Sequence, residues 1–169
     1  MTEPELVKET IERLTPDFQL WPEVTGKHLA YGDEVRIDLI AKPKRPLIEE
    51  GFPDEYFGIE CKLIGSHPGR AAKAVYQSMT YGLSEFEKDG TDFGVPRFVL
   101  VQSEIGDDKS RDLVKQYIAV GLYGRVGYID WYPQKCWCFK FAYIFAKKES
   151  EGYRIVERQL PNYRIGNVG

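Results

Sequence analysis

The chain has 169 residues, 43% hydrophobic and 29% charged, the size and mix of one globular domain with room for a real core. A net charge of −3 argues against a dedicated polycationic nucleic-acid binder, but not against an enzyme whose carboxylates are offset by a bound metal. There is no apolar run long enough to span a membrane, the start MTEPELVKE lacks the basic-then-apolar order of a signal sequence, and Cys61, Cys136 and Cys138 are too few for a four-thiolate zinc or iron–sulfur site. A cytoplasmic protein with reduced thiols is expected, with no membrane partner.

Residues 2–14, TEPELVKETIERL, predict a helix. Thr2 and Glu5 fit a capping box and Pro4 is tolerated in a first turn. Val7, Thr10, Ile11 and Leu14 form the buried stripe, with Glu3 on that side at its N-terminal end and Glu5, Glu9 and Glu12 opposite. WPEVTGKHLAYGDEVRIDLIA then predicts two antiparallel strands turning near Gly32-Asp33. His28, a lone strand histidine, is expected to be structural. The loop KPKRPLIEEGFPDEY is long for a hairpin, and Lys42, Lys44 and Arg45 give it a basic root that is as much a candidate phosphate contact as a solvated surface.

Period-2 alternation puts Val35, Ile37, Leu39 and Ala41 on one face of the VRIDLIA strand and Arg36, Asp38 and Ile40 on the other. In FGIECKLI it puts Phe57, Ile59, Cys61 and Leu63 on one face and Gly58, Glu60, Lys62 and Ile64 on the other. Asp38, Glu60 and Lys62 are thus expected to point away from the core from neighbouring strands. Two carboxylates there make an oxygen-rich pocket suited to Mg²⁺ or Mn²⁺, and a lysine beside them can hold an attacking water or a phosphate oxygen. The same residues could also be an ion pair on an ordinary solvated sheet face.

SHPGRAAKAVYQSMTYGLSEFEKDG predicts a helix starting around Ser66, His67 and Pro68. Ala71, Val75, Met79, Gly82, Leu83 and Phe86 form its expected buried face. Arg70, Lys73, Gln77, Tyr81 and Ser84 lie opposite, with Gln77 and Tyr81 one turn apart. PRFVLVQS reads as a buried strand. Ser110 is the expected N-cap of a helix over 111–123 whose apolar side holds Leu113, Val114, Tyr117, Ile118 and Leu122.

This Asp…Glu-x-Lys pattern on a hairpin resembles the PD-(D/E)xK nuclease superfamily. Gln77-x-x-x-Tyr81 after the Glu-x-Lys strand resembles its RecB-type branch. The order of helix, three strands, helix and strand matches the α-β-β-β-α-β core of that superfamily, over about the first three-quarters of the chain. The resemblance implies an α/β, restriction-endonuclease-like fold over residues 1–169: a central mixed sheet flanked by helices, with extra C-terminal strands. It implies a Mg²⁺- or Mn²⁺-dependent nuclease, a phosphodiester hydrolase acting on nucleic acid, foremost DNA, in repair, recombination or a phage or resolvase-like role. Asp38 and Glu60 would hold the metal with the backbone carbonyl of Cys61. Lys62 would position water and stabilise charge on the phosphorane. Gln77 and Tyr81 would orient the site and strand, and Arg70 and Lys73 would hold phosphates. The first helix of that superfamily often lends an acidic residue to the metal site, and Glu3 is the one placed to do so. The rival reading is a non-catalytic nucleic-acid- or protein-binding module on the same fold. An unrelated α/β enzyme is disfavoured, because no Gly-rich phosphate loop and no G-x-S-x-G elbow occurs.

In the last quarter, VGYIDWY and CWCFKFAYIFAKK are expected to be strands around Pro133-Gln134, with GYRIVERQL as a third. Trp137, Phe139, Phe141, Tyr143 and Phe145 alternate onto one face. That face is expected to be core, covered by Leu113, Tyr117 and Ile118 of the preceding helix. A base-stacking platform or a homodimer surface are the competing readings.

Overall fold

The computed structural model describes residues 1–121, 125–133, 136–141 and 143–156, the side chains of 119–121 excepted. Among the described residues, four helices and ten strands follow one another: α1 (Glu3–Leu14), β1 (Phe18–His28), β2 (Glu34–Pro43), α2 (Arg45–Glu49), β3 (Phe57–Cys61), α3 (Pro68–Tyr81), β4 (Ser84–Lys88), β5 (Thr91–Gly94), β6 (Val99–Gln102), α4 (Asp108–Gly121), β7 (Val126–Tyr132), β8 (Cys136–Lys140), β9 (Ile144–Lys148) and β10 (Tyr153–Ile155). The strands form one mixed sheet in the order β10-β9-β8-β7-β6-β3-β2-β1-β4-β5. Only β3/β6 and β6/β7 pair in parallel among the described residues, and a helix, α3 or α4, lies on each of those two crossovers, as parallel neighbours require. Among the described residues no helix is long and apolar enough to cross a membrane.

Strict alternation along β3 sorts the two faces of the sheet. Phe57, Ile59 and Cys61 join Leu6 and Leu14 of α1 in one core cluster. On the other face, Ala71, Ala74 and Val75 of α3 meet Val114 and Ile118 of α4 over Val101 and Tyr128. Covered on both sides, β3 is buried at every residue. α1 forms as its sequence dictates: the Thr2–Glu5 capping box closes in both directions, and Leu6, Thr10 and Leu14 are buried, with Val7 and Ile11 packed at the edge.

Several expectations need correction. α3 stops at Tyr81 instead of running through Phe86; Ser84–Lys88 is a strand on the open edge of β1. Asp89 and Gly90 both take positive φ, 51° and 77°, the hairpin turn that an Asp-Gly pair favours, and it leads into β5. The buried face of α3 is therefore Ala71, Ala74, Val75, Ser78 and Tyr81, with Leu83 exposed and Tyr81 inside, not on the outer side. α4 is capped by Asp107, whose carboxylate accepts the N–H groups of Lys109 and Ser110 and the Ser110 hydroxyl, so Ser110 lies within the first turn and is not the cap. Leu122 and Gln134 lie outside the described residues, as does GYRIVERQL beyond Val156.

The aromatic run is two strands, β8 and β9, with the chain turning between them, so its five rings do not share one strand. They are core all the same: Trp137, Phe139, Phe141 and Phe145 are buried. Their cover is not α4 but the opposite cluster, where Phe18 packs 5.2–5.8 Å from the rings of Trp137, Phe139, Phe57 and Phe52. The cause is topological, since α4 crosses to the other face of the sheet.

Candidate functional site

The antiparallel register of β2 and β3 pairs Leu39 with Ile59 and Ile40 with Gly58; continued by one residue it sets Asp38 opposite Glu60. The Asp38 Oδ2 accepts the Cys61 N–H at 2.8 Å, which fixes this carboxylate over the end of β3. Glu60 is only 4% exposed, so the alternative of an ordinary solvated sheet face does not hold at this residue: α3 covers it. Tyr81, at the last turn of α3, is also buried, and its phenol reaches the Glu60 carboxylate. Lys62 stands just past the strand end, where its Nζ lies 2.9 Å from the Glu3 Oε1 brought over by α1. Glu3 thus does reach the site, with Lys62 as its direct partner.

Burial and mutual repulsion control the charges. Removal from water, then the neighbouring Asp38 charge, push the Glu60 carboxyl up to about 8, with Lys62 opposing. Desolvation also raises Asp38, although the Cys61 N–H and the interaction with Glu60 pull against it. Near neutral pH the two carboxyls together retain a proton, a property of the pair and not of one residue. Burial, then the charges of Glu60 and Asp38, raise the Tyr81 phenol, so it stays neutral and able to donate.

The strand carrying Asp38 does not alternate as expected. Ile37 and Ile40 both join the cluster of Val24, Tyr81, Phe86 and Val99, whereas Leu39 and Ala41 belong with α1. The phase changes at Asp38. There the β1–β2 pairing passes from Pro22–Leu39 to Val24–Ile37 without pairing Glu23, and Glu23 takes a left-handed φ of 48°. Pro22, which cannot donate to a ladder, is the sequence signal for this break. Gly58 leaves room beside it, since a Cβ there would lie 2.5 Å from the Ile37 Cδ1 and that side chain would have to shift.

The remaining candidates are less tightly gathered. Gln77 sits one turn before Tyr81, and its Oε1 is enclosed without a hydrogen-bond partner; no hydrogen bond ties it to Asp38 or Glu60 among the described residues. Arg70 and Lys73 are exposed on α3. The basic root of the long loop is already engaged: Lys42 pairs with Asp54, Arg45 with Glu49, and the Lys44 Nζ donates to the Thr15 carbonyl. His28 is structural, its Nδ1 accepting the Ala30 and Tyr31 N–H groups.

No family model, curated protein or solved structure matches this chain. The site's own geometry is what carries a functional reading.

As a cation site the arrangement is sparse. Among the described residues no group of three or more His, Cys, Asp or Glu side chains is arranged to hold a metal ion. The Cys61 thiol points into the core, 3.9 Å from the Thr10 hydroxyl, and burial raises it well above its ordinary range, so only its backbone carbonyl is suited to ligation. Two carboxylates and a carbonyl still fit Mg²⁺, which commonly takes one or two carboxylates and keeps several waters. A half-buried and a buried carboxyl that together hold back a proton are a donor set whose charge a divalent cation would neutralise.

Proposed function

We propose that the protein is a metal-dependent nuclease of the PD-(D/E)xK kind, hydrolysing phosphodiester bonds with DNA as the foremost substrate. The observation that carries this reading is the Asp38–Glu60 pair on adjacent strands, Glu60 buried and Asp38 half-buried, with Lys62 beside it. Setting two carboxyls side by side, one of them buried under a helix, costs stability, and a cation-dependent reaction gives the pair a purpose. The succession α1, β1–β3, α3, β6 supports the restriction-endonuclease-like assignment, with two departures from it: α2 between β2 and β3, and the β4–β5 hairpin between α3 and β6.

Asp38, Glu60 and the Cys61 carbonyl would hold Mg²⁺ or Mn²⁺, which when bound would supply an acidified water and offset charge on the phosphate. Asp38 is oriented by the Cys61 N–H. Tyr81, a neutral donor, orients Glu60 instead of approaching the strand directly. Lys62, released from Glu3, would hold the attacking water or a phosphate oxygen.

The test is incubation with labelled linear, circular and branched DNA and with RNA, in Mg²⁺ or EDTA. Wild type should cleave at least one of them in Mg²⁺ and none in EDTA, and Glu60→Gln should abolish cleavage with its circular dichroism unchanged. A folded wild type that cleaves nothing overturns the reading. A second reading, a binding module without catalysis, is favoured by one observation: Lys62 is already neutralised by Glu3.

A further inference from the structure

α3 has an outer surface that its role as a crossover helix does not explain. Residues 61–84 contain no aspartate or glutamate, in a chain with 26 of them. Within that stretch Arg70 and Lys73 are exposed and have no ion-pair partner among the described residues. Most of the other described lysines and arginines, by contrast, are in ion pairs. Beside them Tyr76 is 68% exposed, the most exposed ring on any helix of the described residues.

Helical spacing links this surface to the carboxylates. Tyr81, Gln77 and Lys73 form one i, i+4 row, which runs from buried Tyr81 beside Glu60, through half-buried Gln77, to exposed Lys73. Tyr76 is the i+3 neighbour of Lys73, and Arg70 lies three residues before it. Arg70 to Tyr76 spans about 9 Å of helix axis, roughly the rise of two to three nucleotides along one strand. A flat π-face beside two unpaired cations suits an unpaired base with its phosphates, because a duplex presents its bases only at their edges.

We propose that the Arg70–Lys73–Tyr76 face of α3 grips a single-stranded segment of nucleic acid, with Tyr76 stacking on a base and Lys73 and Arg70 on phosphates, on the helix whose last turn carries Tyr81 to Glu60. This rests on the nuclease reading and narrows its substrate to one with unpaired nucleotides.

Fluorescence anisotropy of a labelled oligo-dT and of a duplex of equal length, both in EDTA, separates this inference from catalysis. Wild type should prefer the single strand. Tyr76→Ala should weaken that binding about fivefold or more, while Tyr76→Phe, which keeps the ring, should stay near wild type. Arg70→Gln with Lys73→Gln should flatten the slope of log affinity on log salt by roughly 1.4, about 0.7 for each phosphate that is no longer neutralised. Equal affinity for duplex and single strand, or Tyr76→Ala binding like wild type, overturns the inference even if the protein cleaves DNA in Mg²⁺. Tyr76-dependent single-strand binding without cleavage leaves this face standing and removes the nuclease reading instead. All the substitutions lie on exposed positions, so circular dichroism should confirm that each variant is folded.

Discussion

Asp38 and Glu60 oppose each other across one antiparallel pair, Glu60 buried beneath α3 and Asp38 half-buried beside it. Because the folded state holds the Glu60 proton up to about pH 8 and the unfolded chain releases it near 4.5, ionising Glu60 is harder in the folded protein. The stability that the protonated carboxyl contributes is fully present below about pH 4.5 and is lost as pH rises through 8; Asp38 shifts in the same direction. Thermal melts in EDTA between about pH 5 and 9 should therefore show wild type losing ground to Glu60→Gln as pH rises. A difference that does not vary with pH would contradict this account of the pair. At this scale the sequence was informative about β3, whose alternation places Glu60 and Gly58 on one face. It was misleading about β2, because the phase break at Asp38 arises from a left-handed Glu23 across the ladder, which no periodicity within β2 can reveal. Burial of Glu60 was likewise hidden, since it depends on where α3 lands.

Elements were legible where a local signal decides them and illegible where a partner does. The capping box fixed α1 at its first residue. The helical pattern of α3 runs on into β4 because Leu83 and Phe86 continue its stripe. The Asp89-Gly90 turn and the alternation of Ser84, Glu85, Phe86 and Glu87 were the contrary signals, and the unpaired edge of β1 decided between them. A further determinant lies in the α1–β1 corner, where buried Asp17 accepts the Trp137 indole N–H at 2.8 Å, the Lys148 ammonium at 2.9 Å and the Tyr153 hydroxyl at 2.7 Å. One carboxylate thus fastens β8, β9 and β10 to the start of the sheet. Asp17→Ala leaves the fully buried Trp137 donor and a cation without an acceptor, and should cost about 3–5 kcal/mol in urea unfolding. A loss below about 1 kcal/mol would mean that these strands are held by ring packing alone.

Across the whole molecule, the ten-stranded sheet extends well past the first strands that the motif organises. Its far half is bound to the near half through aromatic side chains. Phe141 meets Phe98 at 5.4 Å and Phe145 at 5.8 Å, both edge to face. Phe141→Ser should therefore destabilise the chain by about 3–5 kcal/mol, with light scattering giving a monomer mass for wild type. A wild-type dimer that Phe141→Ser converts into a folded monomer would show instead that these rings serve an interface between copies. That the rings are core was legible from their number and spacing. Their partners were not, because which face α4 covers is a matter of crossover topology and not of α4's own apolar stripe.

The central claim, that Asp38 and Glu60 form a divalent-cation site, is tested most directly by titrating Mn²⁺ into the metal-free protein and reading free Mn²⁺ by electron paramagnetic resonance near neutral pH. Wild type should bind Mn²⁺ at a single site with release of a proton from the carboxylate pair, and Asp38→Asn and Glu60→Gln should each abolish that binding while remaining folded. Wild type that binds no Mn²⁺ at millimolar concentration, or binds it equally well in both variants, would contradict the claim.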